Sequence, residues 1–382
     1  MTKLEKISVK GYRRLRDLEI EMRSLLVIIG ANGAGKTSFL DVLSLLAASA
    51  RGNLQDKLQL QGGLSQILTR GKAEELEISL AMQVPEKPPL HYSLALCPHG
   101  ISYEIGEENL TQQSNPTAHD PFKYIESSGV DIRYFSQEER RLVRPNWEHN
   151  YLETSLSQVP KMYREPENLR KSLAACTYYA ALDVSEKSPI RLPQAMRPAK
   201  LPGKNGEDLV SCLYDLRETD RDGFEMIEDI LGTAFPDFER LNFPPVAAGT
   251  LSMTWTDKNF SQPIYIHELS EGTLRFLWLA TLLQSQSLTT ITLIDEPEVS
   301  LHPELLQHLV YLMREAAKQT QLIVATHSDR LIRFLEPHEV VICDLEEGEA
   351  KMTWGDTLDL DKWLADYTLD QLWAMNVMGG RP

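Results

Sequence analysis

Apolar and polar positions follow two different patterns in the first third of the chain. Residues 3–10 alternate between the two classes and therefore predict a half-buried strand. Residues 25–29 form a continuous apolar run that ends in a glycine-rich loop, which predicts a buried strand, and residues 38–50 predict a helix. Residues 76–84 and 90–105 predict strands of an antiparallel patch, because prolines and a glycine interrupt them.

A regular alternation of strands and helices begins near residue 250. Residues 291–294 and 322–325 predict buried strands, and residues 274–283 predict a helix. Another helix is predicted from Pro303, since apolar residues form one stripe at positions 305, 306, 309, 310 and 313. This order of elements predicts an α/β domain with a mostly parallel sheet.

An insertion separates these two regions. Residues 147–182 and 207–232 predict helices, whereas the proline-rich stretch at 188–206 cannot form a long one. Polar residues from 111 to 121 predict a loop. We expect three consecutive sections: an N-terminal lobe, an inserted basic and helical subdomain, and a C-terminal lobe, at residues 1–138, 139–249 and 250–382.

Composition excludes several classes of protein. The chain has 382 residues, 42% hydrophobic and 25% charged, which is the balance of a globular protein and not of a disordered one. The longest apolar run falls far short of the about 20 residues that cross a bilayer, and the N-terminus lacks an apolar signal core. We therefore expect a cytoplasmic protein with no membrane partner. Four widely separated cysteines predict neither a zinc site nor a disulfide framework: Cys97, Cys176, Cys212 and Cys343.

The charge is unevenly distributed along the chain. The net charge is −16, yet residues 140–204 carry twelve Lys and Arg against six Asp and Glu. A segment of opposite sign suggests a surface with its own partner, and Arg140, Arg141, Arg144 and Trp147 make DNA one candidate. A solvated helical surface or a protein-docking face is the alternative, and the overall negative charge repels DNA at long range.

Residues 30–37, Gly-Ala-Asn-Gly-Ala-Gly-Lys-Thr, match the phosphate-binding pattern G-x-x-x-x-G-K-[ST] in full. They lie between a predicted strand and a predicted helix, so backbone N–H groups and the helix N-terminus would face one anion. Lys36 would reach the β- and γ-phosphates, and the Thr37 hydroxyl would bind Mg²⁺. The alternative is a flexible glycine turn. The predicted nucleotide-binding residues of this loop are Gly30, Asn32, Gly33, Ala34, Gly35, Lys36, Thr37 and Ser38.

Two adjacent carboxylates follow the predicted strand at 291–294. Asp295 is expected at the carboxyl end of this strand, where doubly wound sheets bind ligands, and would hold Mg²⁺. Glu296 would polarise the attacking water as a general base. The alternative is an acidic strand-to-helix turn, but two buried carboxylates are costly unless a cation or proton lies between them.

Two further motifs have both a structural and a functional interpretation. Ser270 precedes a predicted helix and would be its N-cap, yet Gly272 in the first turn costs about 1 kcal/mol relative to Ala. Close approach of the backbone to a phosphate would explain this glycine. His327 ends the strand at 322–325 and is either a structural histidine or a contact to the γ-phosphate and the attacking water.

Taken in order, these motifs resemble those of the ABC-class ATPases of the SMC, RecF and OLD type. The closest resemblance is to stand-alone bacterial ATPases whose acidic motif is D-E-P-E-x-x-L-H-P, here at residues 295–303. It covers residues 1–50 and 250–345 specifically, and the tail around Gly379 and Gly380 loosely, where simple packing is the alternative. It implies a P-loop NTPase head of the ABC type, with a mixed sheet, an antiparallel β patch, an inserted helical subdomain and no coiled-coil arm.

The same resemblance implies that ATP is held between two copies of the chain in a homodimer. Five residues would act from one copy: Lys36, Thr37, Asp295, Glu296 and His327. Ser270 and Gly272 would contact the γ-phosphate bound by the other copy, with residues 300–302 at the same interface.

This mechanism also asks for a glutamine that senses Mg²⁺. Gln137, after a predicted strand, is our candidate ligand, and Gln66 is an alternative. Tyr12 or Arg13 would contact adenine.

The sequence departs from these relatives in two respects. It contains no long heptad segment for a coiled-coil arm, and the aspartates after residue 345 lie in a tail too short for the OLD-type nuclease domain. Any nuclease would therefore be a separate polypeptide, as with the effector partners of similar ATPases, including those of anti-phage systems.

Two functions fit these observations. One is an ATP-driven switch in DNA repair or anti-phage defence, acting on DNA through residues 140–204. The other is an ATP-sensing scaffold that controls a separately encoded nuclease or toxin without engaging DNA. A transporter motor is disfavoured by the large insertion between the phosphate loop and Ser270, and a GTPase by the absence of Asn-Lys-x-Asp.

Overall fold

The structure is a computed structural model that describes residues 3–113, 120–160 and 163–380. Most of the predicted loop at 111–121, and Lys161 of the basic segment, lie outside the described residues.

The described strands, in chain order, are β1 (Leu4–Tyr12), β2 (Leu15–Glu21), β3 (Leu25–Ile29), β4 (Leu76–Val84), β5 (Lys87–His99), β6 (Ser102–Gln112), β7 (Phe122–Ser128), β8 (Asp131–Ser136), β9 (Arg141–Val143), β10 (Thr177–Tyr179), β11 (Gln194–Ala195), β12 (Phe238–Asn242), β13 (Pro245–Ala247), β14 (Thr250–Leu251), β15 (Thr254–Asp257), β16 (Ile264–Tyr265), β17 (Ile291–Asp295), β18 (Gln321–Ala325), β19 (Val340–Glu346) and β20 (Glu349–Trp354).

The described helices are α1 (Lys36–Arg51), α2 (Leu54–Leu60), α3 (Leu64–Ile67), α4 (Ser155–Gln158), α5 (Arg164–Ala174), α6 (Leu209–Thr219), α7 (Arg221–Ala234), α8 (Glu271–Leu283), α9 (Pro303–Ala316), α10 (Asp329–Ile332), α11 (Asp361–Leu364) and α12 (Leu369–Ala374). Short 3₁₀ turns lie at Pro189–Arg191, Ile266–Glu268, Pro337–Glu339 and Gly355–Thr357. Among the described residues the longest helix is α1, with 16 residues, so no coiled-coil arm is present there.

The chain forms two compact units. Unit 1 comprises Met1–Thr177, Pro337–Leu360 and Asn376–Pro382, and unit 2 comprises Tyr178–Glu336 and Asp361–Met375. Neither unit coincides with one of the three consecutive sections expected from the sequence. Unit 1 is discontinuous in sequence because β19, far along the chain, pairs in parallel with β3.

Unit 1 contains a large antiparallel sheet and part of the nucleotide-binding core. The antiparallel sheet has eight strands in the order β2-β1-β4-β5-β6-β7-β8-β9, more than the two strands predicted for this patch. In the core, β3 pairs in parallel with β19, and β19 pairs with β20 in the antiparallel sense. The predicted mixed sheet and antiparallel patch are therefore confirmed.

Unit 2 contains the predicted α/β alternation. Strands β17 and β18 pair in parallel, with Ile291 opposite Gln321 and Asp295 opposite Ala325. Helix α9 buries Leu305, Leu306, Leu309, Val310 and Met313, the predicted apolar stripe. The helical prediction for 207–232 is confirmed by α6 and α7, but the described residues between 147 and 182 form only α4, α5 and the strand β10.

Glu108 joins the antiparallel sheet of unit 1 to the start of α4. Its side chain is fully buried, and its carboxylate accepts hydrogen bonds from the backbone N–H groups of Ser155 at 2.6 Å and Leu156 at 2.8 Å. The Tyr92 hydroxyl donates a third bond at 2.9 Å. Burial raises the pKa of Glu108, and these three donors oppose that rise.

We predict that Glu108→Ala lowers the free energy of unfolding by about 3 kcal/mol, because it leaves three buried donors without an acceptor. Glu107→Ala is the matched control, since Glu107 is exposed on the other face of the same strand. Urea unfolding monitored by tyrosine and tryptophan fluorescence measures both. Equal stability of the two variants would show that the Glu108 hydrogen bonds do not hold α4 to the sheet.

Candidate functional site: a phosphate loop and an acidic strand end

The predicted phosphate loop connects β3 to α1 in unit 1. Its glycines have positive backbone φ angles of 154° at Gly30, 76° at Gly33 and 125° at Gly35. A Cβ atom on Gly30 would lie 2.2 Å from the Cys343 carbonyl oxygen, and one on Gly35 would lie 3.0 Å from the Ala350 Cβ. A Cβ atom on Gly33 would have no neighbouring atom within 4 Å. Two glycines thus let the loop lie close to β19 and β20, and the third leaves its outer surface open.

Lys36 is the first residue of α1 and curls back over the loop. Its ammonium donates hydrogen bonds to the carbonyl oxygens of Gly30 at 2.7 Å and Ala31 at 3.0 Å. No side chain caps the start of α1, so its first N–H groups are directed at the loop. An anion fits this arrangement, since an uncapped helix start, a glycine cradle and a lysine meet at one place.

The remaining loop residues differ in accessibility. Asn32 and Thr37 are exposed, Ser38 is partly exposed, and Ala34 is buried. Thr37 is the second residue of α1.

The floor of the loop is tightly packed. Cys343 of β19 is buried there, and burial raises the pKa of its thiol to about 12, so it is a neutral packing group. A Cβ on Gly380 would lie 2.8 Å from the Ile342 Cγ2 and 3.5 Å from the Gly30 Cα. Close packing under the phosphate loop therefore accounts for a glycine in the C-terminal tail.

The structure does not bring the other predicted residues of unit 1 to this loop. Gln137 is exposed in the turn between β8 and β9, six strand positions from β2, whereas Gly35 lies next to β2 through Leu15. The role of Gln137 as a metal ligand stays a prediction. Tyr12 is fully buried and cannot stack on a base, and the Arg13 guanidinium is bonded to Asp41 at 2.7 Å.

In unit 2, Asp295 is the last residue of β17, after four residues that are almost completely buried. The Tyr178 hydroxyl donates a hydrogen bond to the Asp295 Oδ2 at 3.0 Å. Tyr178 was not among the predicted site residues, because residues 147–182 were predicted to be helical. The three β-forming residues Thr-Tyr-Tyr at 177–179 were the available signal.

Glu296 and His327 form a pair at the ends of β17 and β18. The distance from the His327 Nδ1 to the Glu296 Oε1 is 3.0 Å, and both side chains are about half exposed. The Glu296 N–H donates to the Ala325 carbonyl at 2.8 Å, and Glu296 has a left-handed φ of 52°. An accessible carboxylate oriented by an imidazole has the geometry of a general base.

Ser270 is the N-cap of α8, as the structural interpretation predicted. Its hydroxyl accepts a hydrogen bond from the Thr273 N–H at 3.2 Å. An N-cap at Ser270 does not by itself account for Gly272. The structure supplies a reason for this glycine within the chain. A Cβ on Gly272 would lie 2.7 Å from the Ser300 carbonyl oxygen.

Arg191 fixes the segment that precedes Ser270. Its guanidinium donates to the carbonyl oxygens of His267 at 2.8 Å, Leu269 at 2.9 Å and Val184 at 2.7 Å. In the sequence, Arg191 is recognisable only as one of the basic residues at 140–204. The sequence gives no sign of this role, because the acceptors are backbone carbonyl groups and those of His267 and Leu269 lie far from Arg191 in the chain.

In unit 1 the Thr37 hydroxyl oxygen is a donor of the kind that Mg²⁺ prefers, and in unit 2 the Asp295 carboxylate is another. Among the described residues no group of three or more His, Cys, Asp or Glu side chains could hold a metal ion.

Residues 25–333 match the family described as "AAA domain, putative AbiEii toxin, Type IV TA system". This match spans most of the chain. The protein belongs to this family. It is accordingly an ATP-hydrolysing P-loop NTPase that binds nucleotide. No curated protein matches the sequence.

Solved structures of SMC heads share the fold. An Smc head bound to the C-winged helix domain of ScpA has a TM-score of 0.58 at 15% identity, covering 95% of this chain and 99% of that one. An Smc head with an extended coiled coil, bound to the C-terminal domain of ScpA and derived from Pyrococcus furiosus, gives 0.55 at 12%, covering 96% and 98%. One with a coiled coil and joint, from Pyrococcus yayanosii, gives 0.51 at 12%, covering 96% and 99%. The predicted ABC-type, SMC-like head fold is thereby confirmed.

Part of the positive charge of the segment at 140–204 is paired within the chain. In unit 1, Arg141 pairs with Glu139 at 2.6 Å and Arg144 with Asp131 at 3.2 Å, and Asp131 also pairs with Arg133. In unit 2 the same holds for the pairs Arg197–Asp208 at 2.5 Å and Lys200–Asp215 at 2.8 Å. All four carboxylates lie outside the counted segment, so they offset part of its local excess of positive charge.

No helix in the described part of the chain is long and apolar enough to cross a membrane.

We predict opposite effects of alanine at two helical glycines of unit 2. Gly272→Ala should lower the free energy of unfolding by about 1–3 kcal/mol, because its methyl group collides with the Ser300 carbonyl. Gly232→Ala in α7 should raise it by about 0.5–1 kcal/mol, since no atom lies within 4 Å of the added carbon. Chemical denaturation compares the two, and a stabilising Gly272→Ala would exclude the close contact with Ser300.

Proposed function

We propose that this ATPase is a switch: two copies close head to head around ATP and reopen after hydrolysis. The observation that carries the proposal is that one chain holds a phosphate loop and also Ser270, which is exposed at the start of α8. In ABC-type dimers these two elements serve the same nucleotide from opposite copies.

Each residue of the proposed mechanism has one task. The loop from Gly30 to Ser38 holds the phosphates, with Lys36 on the β- and γ-phosphates. Thr37 in unit 1 and Asp295 in unit 2 are each a candidate ligand of Mg²⁺, which supplies charge neutralisation at the phosphates when bound. Ser270 and Gly272 contact the γ-phosphate held by the other copy.

Hydrolysis uses Glu296 as the base. Its carboxylate accepts a proton from water as the water oxygen attacks the γ-phosphorus, and the bond to the ADP oxygen breaks. His327 keeps this carboxylate in orientation through the 3.0 Å contact.

The energetic basis of the switch is linkage. A nucleotide that contacts both copies only in the closed dimer shifts the equilibrium by its difference in affinity for the two states. About 5.5 kcal/mol of such difference converts a mostly open population into a mostly closed one.

We predict that Glu296→Gln abolishes turnover and accumulates an ATP-bound dimer, because the amide keeps the shape of the side chain but cannot accept the proton. Size-exclusion chromatography with light scattering, in ATP and Mg²⁺, measures the dimer. Lys36→Ala added to Glu296→Gln is the control and should remain monomeric, since the phosphates lose their lysine. A Glu296→Gln variant that stays monomeric at saturating ATP would overturn the dimeric switch.

We infer that the switch controls a separately encoded partner protein. The family description names a putative toxin of a type IV toxin–antitoxin system, which supports an effector or regulator as partner. The pairing of basic residues of the segment 140–204 with carboxylates from outside it favours this scaffold role over DNA repair. Trp147 also packs against Tyr134, with 5.2 Å between ring centroids.

We predict that reversing Arg140, Arg141 and Arg144 to Glu leaves duplex DNA binding unchanged, because the net charge of −16 disfavours DNA and Arg141 and Arg144 each already contact a carboxylate. Fluorescence anisotropy between 50 and 200 mM salt, on the order used for counterion-release analysis, measures this. Tight binding by the wild type, with a steep salt dependence that the triple variant loses, would establish DNA as the target instead.

A further inference from the structure

Glu298 is a buried carboxylic acid in the loop after β17, two residues beyond Glu296. It is 9% exposed, and burial raises the pKa of its side chain. Its Oε1 accepts a hydrogen bond from the Thr326 hydroxyl at 2.5 Å. Its Oε2 is buried and has no hydrogen-bond partner within the described residues. A polar group of this kind is costly to bury, so its presence calls for an explanation.

Thr326 links Glu298 to the histidine loop. This residue lies between the end of β18 and His327 and is fully buried. Its hydroxyl donates to Glu298 and accepts from the Ser328 N–H at 3.0 Å. The two bonds fix the backbone on both sides of His327.

The loop that carries Glu296 requires such an anchor. Glu296 and Ser300 both adopt left-handed φ angles, 52° and 61°, which non-glycine residues avoid. Such conformations persist only where surrounding contacts over-determine them. The Leu301 N–H donates to the Glu298 carbonyl at 3.0 Å, so Glu298 is tied to the loop by its backbone and to Thr326 by its side chain.

The ends of β17 and β18 are therefore joined at two points. One is the backbone bond from the Glu296 N–H to the Ala325 carbonyl, and the other is the side-chain bond between Glu298 and Thr326. The contact between Glu296 and His327 lies beside both. A change at Glu298 would act on that contact without touching the nucleotide.

We propose that Glu298 is a positioning residue for ATP hydrolysis: its buried side chain, bonded to Thr326, holds Glu296 and His327 in their 3.0 Å contact. The role rests on the proposed function of Glu296 as the base. It requires a hydrogen bond to the Thr326 hydroxyl and not a negative charge, because the amide oxygen of glutamine accepts the same bond.

The experiment measures kcat and ATP affinity of the full-length protein for two pairs of variants. Glu298→Leu and Thr326→Val remove the hydrogen bond at similar volume, whereas Glu298→Gln and Thr326→Ser retain it. We expect kcat to fall about 10²-fold in the first pair, as for a small misplacement of catalytic groups. ATP affinity should stay within about threefold of wild type, because neither residue touches ATP. The conservative pair should retain kcat within about threefold.

Two further variants complete the design. The double variant Glu298→Leu/Thr326→Val should lose no more activity than Thr326→Val alone, because Thr326→Val already removes the bond to Glu298 together with the bond from the Ser328 N–H. Glu315→Leu is the control, since Glu315 on α9 pairs only with Lys318 at the surface among its described contacts and should leave kcat unchanged.

The outcomes separate the two proposals. If Glu296→Gln abolishes turnover but Glu298→Leu and Thr326→Val stay within threefold of wild type, the positioning role is refuted and the base survives. If Glu296→Gln retains turnover, the proposed function fails first. The positioning role is also refuted if the losses of kcat multiply in the double variant, or if ATP affinity falls together with kcat. Should Glu298→Leu fail to fold, as judged by circular dichroism, the contrast between Thr326→Val and Thr326→Ser decides the question.

Discussion

The parallel pairing of β17 with β18 is the constraint on which the chemistry of unit 2 depends. Because Asp295 lies opposite Ala325, the residues that follow both strands leave the sheet at the same edge. Carboxyl ends of parallel strands carry ligand sites in open α/β sheets for this reason. The Glu296 backbone is bonded across this edge to Ala325, and its side chain meets His327 there. A change of register by one residue would separate the pair.

Polar side chains that are buried or half-buried connect elements that the hydrophobic core alone would leave free to shift. Glu108 joins the antiparallel sheet to α4, and Arg191 holds three carbonyl groups around the segment before Ser270. Gln194 does the same in unit 2, where its amide bonds Gly206 and Val210. Apolar packing is non-directional, whereas a hydrogen bond is satisfied in one geometry. These residues therefore determine where loops lie.

Glycine has a different cause at each candidate position. Gly30 and Gly35 are needed because strands β19 and β20 lie directly beneath the phosphate loop, and Gly272 because the Ser300 carbonyl lies against α8. Gly33 alone faces open space. A motif in the sequence thus combines residues that shape the protein with one that leaves room for a ligand, and the sequence pattern does not distinguish them.

The sequence by itself determined the local elements and the chemistry they carry. Strands β3, β17 and β18, helices α1, α8 and α9, and the phosphate loop follow from apolar runs, 3.6-residue periodicity and glycine placement, which depend on near neighbours in the chain. Only the tertiary structure decided what distant residues do. It paired β19 with β3, brought Tyr178 to Asp295 and Glu298 to Thr326, and placed Gln137 at the far edge of a sheet. It also paired several side chains of the basic segment with carboxylates from outside it. These outcomes depend on pairings between residues far apart in sequence, which no local pattern encodes.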